Sequence, residues 1–122
     1  MRTFIRNRPV DTDIQGFLPL QPRDYLMLFA LSAGQRHGYG LIKDVEEDTA
    51  GAVTIDPANL YRSIKRLTKD GLVAEADAPK DDAAGDERRR YYRITPLGKR
   101  VVKAEAERLA DLATLARARK LI

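Results

Sequence analysis

The 122 residues include 22 Lys and Arg against 18 Asp and Glu, for a net charge of +4, and no cysteine. A chain of this length forms one core, and without cysteine it has no disulfide framework, thiolate chemistry or Cys-based zinc site. With 43% apolar and 33% charged residues, we expect a folded domain in the cytoplasm, without a membrane span or a cofactor.

The first 21 residues are predicted to be an N-terminal extension. Within them, "DTDIQGFL" favours a short helix that is packed by Ile14, Phe17 and Leu18. Pro22 then suits the first turn of a helix, and the nearly all-apolar "RDYLMLFALSAG" that follows predicts a helix at the centre of the core.

The next segment, "HGYGLIKDVEEDTAG", predicts a second helix that stops at Gly51. Its apolar stripe at helical spacing consists of Tyr39, Ile42 and Val45. The β-branched run "AVTI", residues 52–55, predicts a minor strand. We interpret His37, the only histidine, as a residue that sets the start of this helix; the alternative is a pH sensor or ligand contact. A lone histidine makes a poor metal site, so no metal is predicted.

A third helix is predicted within "DPANLYRSIKRLTKDG", because Asp56 and the proline after it form a strong helix start and Gly71 ends the segment. Its buried stripe would be Leu60, Ile64 and Leu67. The cations fall on the other side: Arg62, Lys65, Arg66 and Lys69. Asn59 and Ser63 lie near the margin of that face. The face is either simply solvated or in contact with DNA, with Tyr61 either in the core or at the interface.

Two strand-like runs, "LVAEADA" and "RRRYYRIT", flank a turn-rich stretch and predict a β-hairpin. The hairpin would pack on the helices through Leu72, Val73, Tyr92 and Ile94. Alternation along the returning strand places Arg88 and Arg90 on one face, within reach of a phosphate backbone. Phosphate would repel the acids of the tip, so we expect the tip to be disordered or to point outward. These acids are Asp81, Asp82, Asp86 and Glu87.

The last helix is predicted over residues 97–120, after a second cap-and-proline start at Thr95. Its stripe has a seven-residue step and comprises Val102, Leu109, Leu112, Leu115 and Ala116. One protomer covers only part of this stripe, and an exposed apolar remainder usually marks an interface. We therefore predict that this helix pairs two copies of the chain.

Three helices followed by a hairpin form the winged helix-turn-helix, whose third helix can enter a DNA major groove. The predicted fold is mainly α with a small β-hairpin. It has three parts: the N-terminal extension (1–21), a winged helix-turn-helix DNA-binding domain (22–95) and a long C-terminal dimerisation helix (96–122).

The segments "HGYGLIKDV", "NLYRSIKRLTKDGLV" and "RRRYYRITPLGKRVV" resemble, in this order and spacing, the PadR family of winged-helix transcriptional regulators. The resemblance runs from about Tyr25 to about Val102. It implies a homodimeric repressor that binds a palindromic promoter site, with the position of Tyr61 at the DNA interface. It also suggests release by a small-molecule effector, in a pocket between the first and last helices around Tyr25, Phe29, Leu109 and Leu112.

The predicted DNA-contacting residues are Asn59, Tyr61, Arg62, Ser63, Lys65, Arg66, Lys69, Arg88 and Arg90. Enzymatic activity is not expected, because Ser32 and Ser63 lack a nucleophile-elbow context and an obvious base. A second hypothesis is a winged-helix module that grips an acidic protein partner with its basic helix and hairpin. Salt-sensitive binding to random duplex would favour DNA over this alternative.

Overall fold

The computed structural model describes residues 12–79 and 90–122. Its elements, in chain order, are α1 (Thr12–Gln15), α2 (Pro22–Leu31), β1 (Arg36–His37), α3 (Gly38–Asp48), α4 (Pro57–Lys69), β2 (Val73–Ala76), β3 (Tyr91–Ile94) and α5 (Pro96–Ala118). Over these two ranges, no helix has both the length and the apolar character that a membrane crossing requires. The predicted order of helices and hairpin is confirmed.

Side-chain caps begin three of the helices. His37, Asp56 and Thr95 each accept a hydrogen bond from the backbone N–H three residues later, at 3.1, 2.9 and 3.0 Å. Such caps satisfy N–H groups that have no partner inside the helix. The predicted starts at Asp56 and Thr95 are confirmed, and so is the interpretation of His37 as the residue that starts α3.

The ends of α3 and α4 coincide with positive φ angles. Ala50 and Gly51 have φ of 51° and 82° after α3, and Gly71 has φ of 79° after α4. Glycine adopts this left-handed conformation without the steric cost of a Cβ atom. The stops predicted at Gly51 and Gly71 are therefore confirmed.

The sheet has three antiparallel strands in the order β1–β3–β2. Val73 pairs with Ile94 in the predicted hairpin, and Arg36 pairs with Tyr92 on the other edge of β3. The prediction of a strand at residues 52–55 is wrong, because these residues are irregular and do not belong to the sheet. Their apolar character has another cause: Ile55 is buried in the core just before α4.

The helices α2 to α5 and the strands β2 and β3 contribute to one core. α2 supplies Met27, Leu28 and Leu31, as its apolar sequence predicts, and α4 supplies the predicted stripe of Leu60, Ile64 and Leu67. The hairpin packs through the four predicted residues, all of them buried: Leu72, Val73, Tyr92 and Ile94. In α3, Val45 is buried and Ile42 half-buried, but the prediction for Tyr39 is wrong because its side chain is exposed.

The segment before α2 packs on α5. Ile14 of α1 is buried, and Phe17 and Leu18 pack against the core after α1 has ended. The backbone N–H of Leu20 donates to Oε2 of Glu105 at 2.8 Å, across 85 residues of sequence. Residues 12–21 are thus attached to the long helix, and their predicted packing residues are confirmed.

Candidate nucleic-acid interface

The outward face of α4 carries cations, as predicted. Arg62, Lys65 and Lys69 are exposed, while the opposite side of the helix is buried. α4 packs against α2 and α3, and the side that carries the cations is exposed to solvent. With Arg66, which is also exposed, four cations on one short helix form a surface that suits a polyanion.

Asn59 is occupied within α4. Its side-chain amide donates to Oδ2 of Asp56 at 2.7 Å, and its Oδ1 accepts from Nη1 of Arg62 at 3.1 Å. The N–H of Asn59 holds the pKa of the Asp56 carboxyl below its ordinary value. The half-buried Asn59 therefore orients Arg62, and a direct contact from Asn59 to a base requires these bonds to be exchanged.

The placement predicted for Ser63 is wrong, because its side chain is fully buried. Ser63 lies between the positions of Leu60 and Leu67 on the inward side, and its Oγ accepts from Nε of Arg23 at 3.1 Å. Arg23 itself, a half-buried cation beside α4, escaped the sequence analysis. Ser63 follows Leu60 by three residues and precedes Leu67 by four. This helical spacing is the sequence signal that would have indicated its burial.

Arg66 differs from the other cations of α4 because it has a buried partner. Its Nη2 lies 2.6 Å from both carboxylate oxygens of Asp24, in the first turn of α2. The Asp24 side chain is 7% exposed, whereas that of Arg66 is 42% exposed. The hydrogen bond to Asp24 raises the pKa of Arg66, against the effect of partial burial. Arg66 thus belongs to both the core boundary and the basic face.

Tyr61 lies on the surface of α4, with 47% of the residue exposed. The alternative that Tyr61 packs in the core is therefore excluded. Its hydroxyl sits over Gly38 at the start of α3, next to the exposed Tyr39. Tyr39 is exposed although its spacing from Val45 suggested burial, and it lines a cleft on α3 with Lys43 and Glu47.

The hairpin of β2 and β3, with Arg90 just before β3, extends the basic surface of α4 only in part. Arg90 is exposed, and its Nε lies 3.8 Å from Oε1 of Glu75 across the hairpin. Both side chains are about two-thirds exposed, so the pair is screened by solvent and readily exchanged for a phosphate contact. Arg88 and the four acids of the predicted tip lie outside the described residues.

The predicted dimerisation stripe is divided between the core and the surface. Val102 is buried within its own protomer and cannot face a partner. Leu109 and Leu112 are 39% and 49% exposed, and Leu115 and Ala116 are half-buried. The stripe drifts because a helix has 3.6 residues per turn, so a seven-residue step does not stay on one line. The exposed pair Leu121 and Ile122 adds apolar surface beyond α5.

The four predicted effector residues lie on α2 and α5. Tyr25 and Phe29 stack with ring centroids 6.2 Å apart, and Phe29 is exposed. A separate cavity of about 240 Å³ lies between the N-terminal segment and α5, and of the four predicted residues only Leu112 lines it. Within residues 12–79 and 90–122, no cluster of His, Cys, Asp or Glu could hold a metal.

A model of the PadR-like family of transcriptional regulators matches residues 27–104. The chain belongs to this family. The resemblance inferred from its sequence motifs is thereby confirmed, over nearly the same range as predicted. An uncharacterised protein from Lysinibacillus sphaericus is 32% identical over 95 residues, which cover 73% of this chain and 84% of that protein.

Solved structures of transcriptional regulators share the fold. A transcriptional regulator from Clostridium thermocellum is 26% identical, with a TM-score of 0.64, over 92% of this chain and all of that chain (100%). A PadR family transcription regulator from Clostridium difficile is 20% identical with a TM-score of 0.69, over 80% of this chain and 97% of that chain, and shows the fold alone. This PadR-family regulator therefore has the winged-helix architecture, with a long C-terminal helix.

Proposed function

We propose that this PadR-family regulator is a repressor in the cytoplasm that binds a palindromic promoter site as a homodimer. The observation that supports this most directly is the outer face of α4. Arg62, Lys65 and Lys69 are exposed there, while Leu60, Ile64 and Leu67 anchor the same helix in the core. A rigidly anchored helix with an exposed basic face suits insertion into a major groove.

The cations of α4 have two different roles in the proposed complex, affinity for the phosphate backbone and recognition of bases. Lys65 and Lys69 neutralise phosphates, which supplies most of the affinity and makes it dependent on salt. Arg62, held by Asn59 at 3.1 Å, presents a planar group suited to bidentate contact with guanine in the groove. Tyr61, Arg66 and Arg90 complete the proposed surface at its edges. Ser63 is not part of it because it is buried.

The proposed dimer uses the exposed leucines of α5. Leu109 and Leu112 lie on the outer side of that helix, and Leu115 and Ala116 continue the surface. Two-fold pairing makes the same patch meet itself. It would also place two copies of α4 about 34 Å apart, one turn of DNA, which matches a palindromic site. Occupation of a promoter in this way blocks transcription.

A small-molecule effector would bind in the cavity beside α5. Of the four effector residues predicted from sequence, Leu112 lines this cavity. The cavity of about 240 Å³ is lined by Leu18, Arg108, Leu112 and their neighbours. A ligand there would contact the helix that pairs the protomers. A change in the pairing of α5 alters the distance between the two α4 helices, and with it the fit to the two half-sites.

The experiment is a titration of the protein into a labelled duplex from its own upstream region, beside an unrelated duplex, at two salt concentrations. We expect tight binding to the upstream duplex that weakens as the salt concentration rises. Analytical ultracentrifugation of the same protein should show a dimer. Equal weak binding to both duplexes would contradict the proposal. It would direct attention to the hypothesis of an acidic protein partner, which the same exposed cations could bind.

A further inference from the structure

Two neighbouring residues at the start of α2 bind α4. Arg23 donates through Nε to Oγ of Ser63 at 3.1 Å. Asp24 accepts two hydrogen bonds of 2.6 Å from Nη2 of Arg66. Because Ser63 and Arg66 are three residues apart, they lie one turn apart on the same side of α4. One turn of α2 therefore holds two successive turns of the helix that carries the basic face.

These contacts add a directional restraint on the rotation of α4 to that of its apolar packing. The burial of Leu60, Ile64 and Leu67 is favourable but has no intrinsic direction. Hydrogen bonds require defined distances and angles. Successive residues of a helix are about 100° apart around its axis, so a small rotation of α4 displaces Arg62 and Lys65 sideways relative to a bound groove.

The pairing of Asp24 also determines where the Arg66 guanidinium points. A carboxylate that is only 7% exposed is costly to bury without a partner, so it holds the cation firmly. The guanidinium is planar and carries five N–H donors in fixed directions. Because the guanidinium is planar, the bond of Nη2 to Asp24 also restricts the directions of its other nitrogens, in a side chain that is 42% exposed.

We infer that Asp24 is a positioning residue for DNA recognition: by holding Arg66 it sets the orientation of the basic face and the preference for the specific site. The inference rests on the proposed function of α4. It predicts the opposite of what simple electrostatics predicts for the loss of this carboxylate. Removing a negative charge near DNA should strengthen binding to every duplex, whereas loss of a positioning contact weakens binding to the specific site alone.

The test compares the affinities of the full chain for its own upstream duplex and for an unrelated duplex. For Asp24→Asn we expect about a tenfold loss at the specific site, from the loss of a charged hydrogen bond, with affinity for the unrelated duplex unchanged or increased. Asp24→Glu keeps the carboxylate and should recover most of the preference. Glu47→Gln, which removes an exposed acid paired with Lys43 on α3, is the matched control and should retain the preference.

A double variant separates positioning from folding. If Asp24 acts through Arg66, the variant with both Asp24→Asn and Arg66→Gln loses no more preference than Arg66→Gln alone. Partial unfolding would lower both affinities together and leave their ratio unchanged, and that result, or additive losses, would overturn the inference. A wild-type protein without any preference would instead overturn the proposed function, and the inference with it.

Discussion

Tyr61 of α4 lies so close to Gly38 of α3 that a Cβ atom on Gly38 would be 2.9 Å from the tyrosine hydroxyl oxygen. The same atom would be 3.3 Å from Cδ2 of Leu60. The absence of a side chain at the first position of α3 is therefore what allows α4 and its exposed tyrosine to pack here. This contact joins the two helices of the helix-turn-helix at the proposed DNA surface.

The substitution Gly38→Ala should destabilise the protein by about 1 kcal/mol, because the Tyr61 hydroxyl must move to make room for the new methyl group. The ring tip is the end of a side chain that is half exposed, so the cost stays moderate. Urea denaturation measures the change. In the background of Tyr61→Phe, which removes the obstructing oxygen, the cost should be smaller, while the close contact with Leu60 remains. An equal cost in both backgrounds would contradict this account.

Gly98 should be far less tolerant than Gly38. A Cβ atom there would lie 2.2 Å from the carbonyl oxygen of Leu72 and 2.7 Å from Cγ1 of Ile94. Backbone cannot move aside as a side chain does, so Gly98→Ala should cost about 3 kcal/mol or more in the free energy of unfolding. Gly16→Ala is the control, since nothing lies within 4 Å of its Cβ position. Similar midpoints for the two variants would refute the prediction.

The buried Glu105 should make stability depend on acid pH. Arg108 and, to a lesser extent, the N–H of Leu20 hold the pKa of the Glu105 carboxyl below its ordinary value of 4.5, against the effect of burial. A carboxyl with a lowered folded-state pKa contributes stability above its unfolded pKa. That contribution is lost as the pH falls from the unfolded value through the folded one.

The variant Glu105→Gln should therefore lose about 2 kcal/mol near neutral pH and show a smaller further loss below pH ~4.5 than the wild type does. Chemical denaturation across this pH range measures both quantities. Asp56, whose pKa is also lowered, is unchanged in the variant, so the difference between the two curves reports on Glu105. Parallel curves would show that Glu105 titrates as it does in the unfolded chain.

The basic face of α4 should determine how DNA affinity responds to salt. Lys65→Gln removes one cation from that face and should lower the salt-dependence slope by about one, weakening binding to all duplexes alike. Lys103→Gln is the matched control, because Lys103 is an exposed lysine of α5 paired with Glu107. Equal effects of the two substitutions would show that net charge, and not the face of α4, governs binding.

The dimer prediction needs surface substitutions and not a truncation. Removing the chain after about residue 100 would delete Val101, Val102 and Glu105, all buried in the protomer's own core. The variant with Leu109→Glu and Leu112→Glu leaves that core intact and should sediment as a folded monomer, since it places charges in an apolar interface. Ala110→Glu, on an exposed position of the same helix, should remain a dimer. A dimeric leucine variant would place the interface elsewhere.

Local signals in the sequence predicted the helices and the hairpin of this fold correctly. Asp56 with its proline, Thr95 with its proline, and the positive-φ glycines Gly51 and Gly71 begin and end helices through groups only a few residues away. The hairpin and the basic face of α4 follow from spacing alone. The short strand was misplaced, because a two-residue strand such as Arg36–His37 exists only by pairing with β3.

Sequence by itself thus determined the helices, the hairpin, the family motifs and which cations share a face, since each depends on neighbours along the chain. Only the tertiary structure decided that Val102 is buried, that Arg66 is the partner of Asp24 and that Leu20 is a partner of Glu105. The physical reason is distance in sequence. The bonds Arg23–Ser63, Asp24–Arg66 and Leu20–Glu105 span 40, 42 and 85 residues, and no local periodicity specifies such partners.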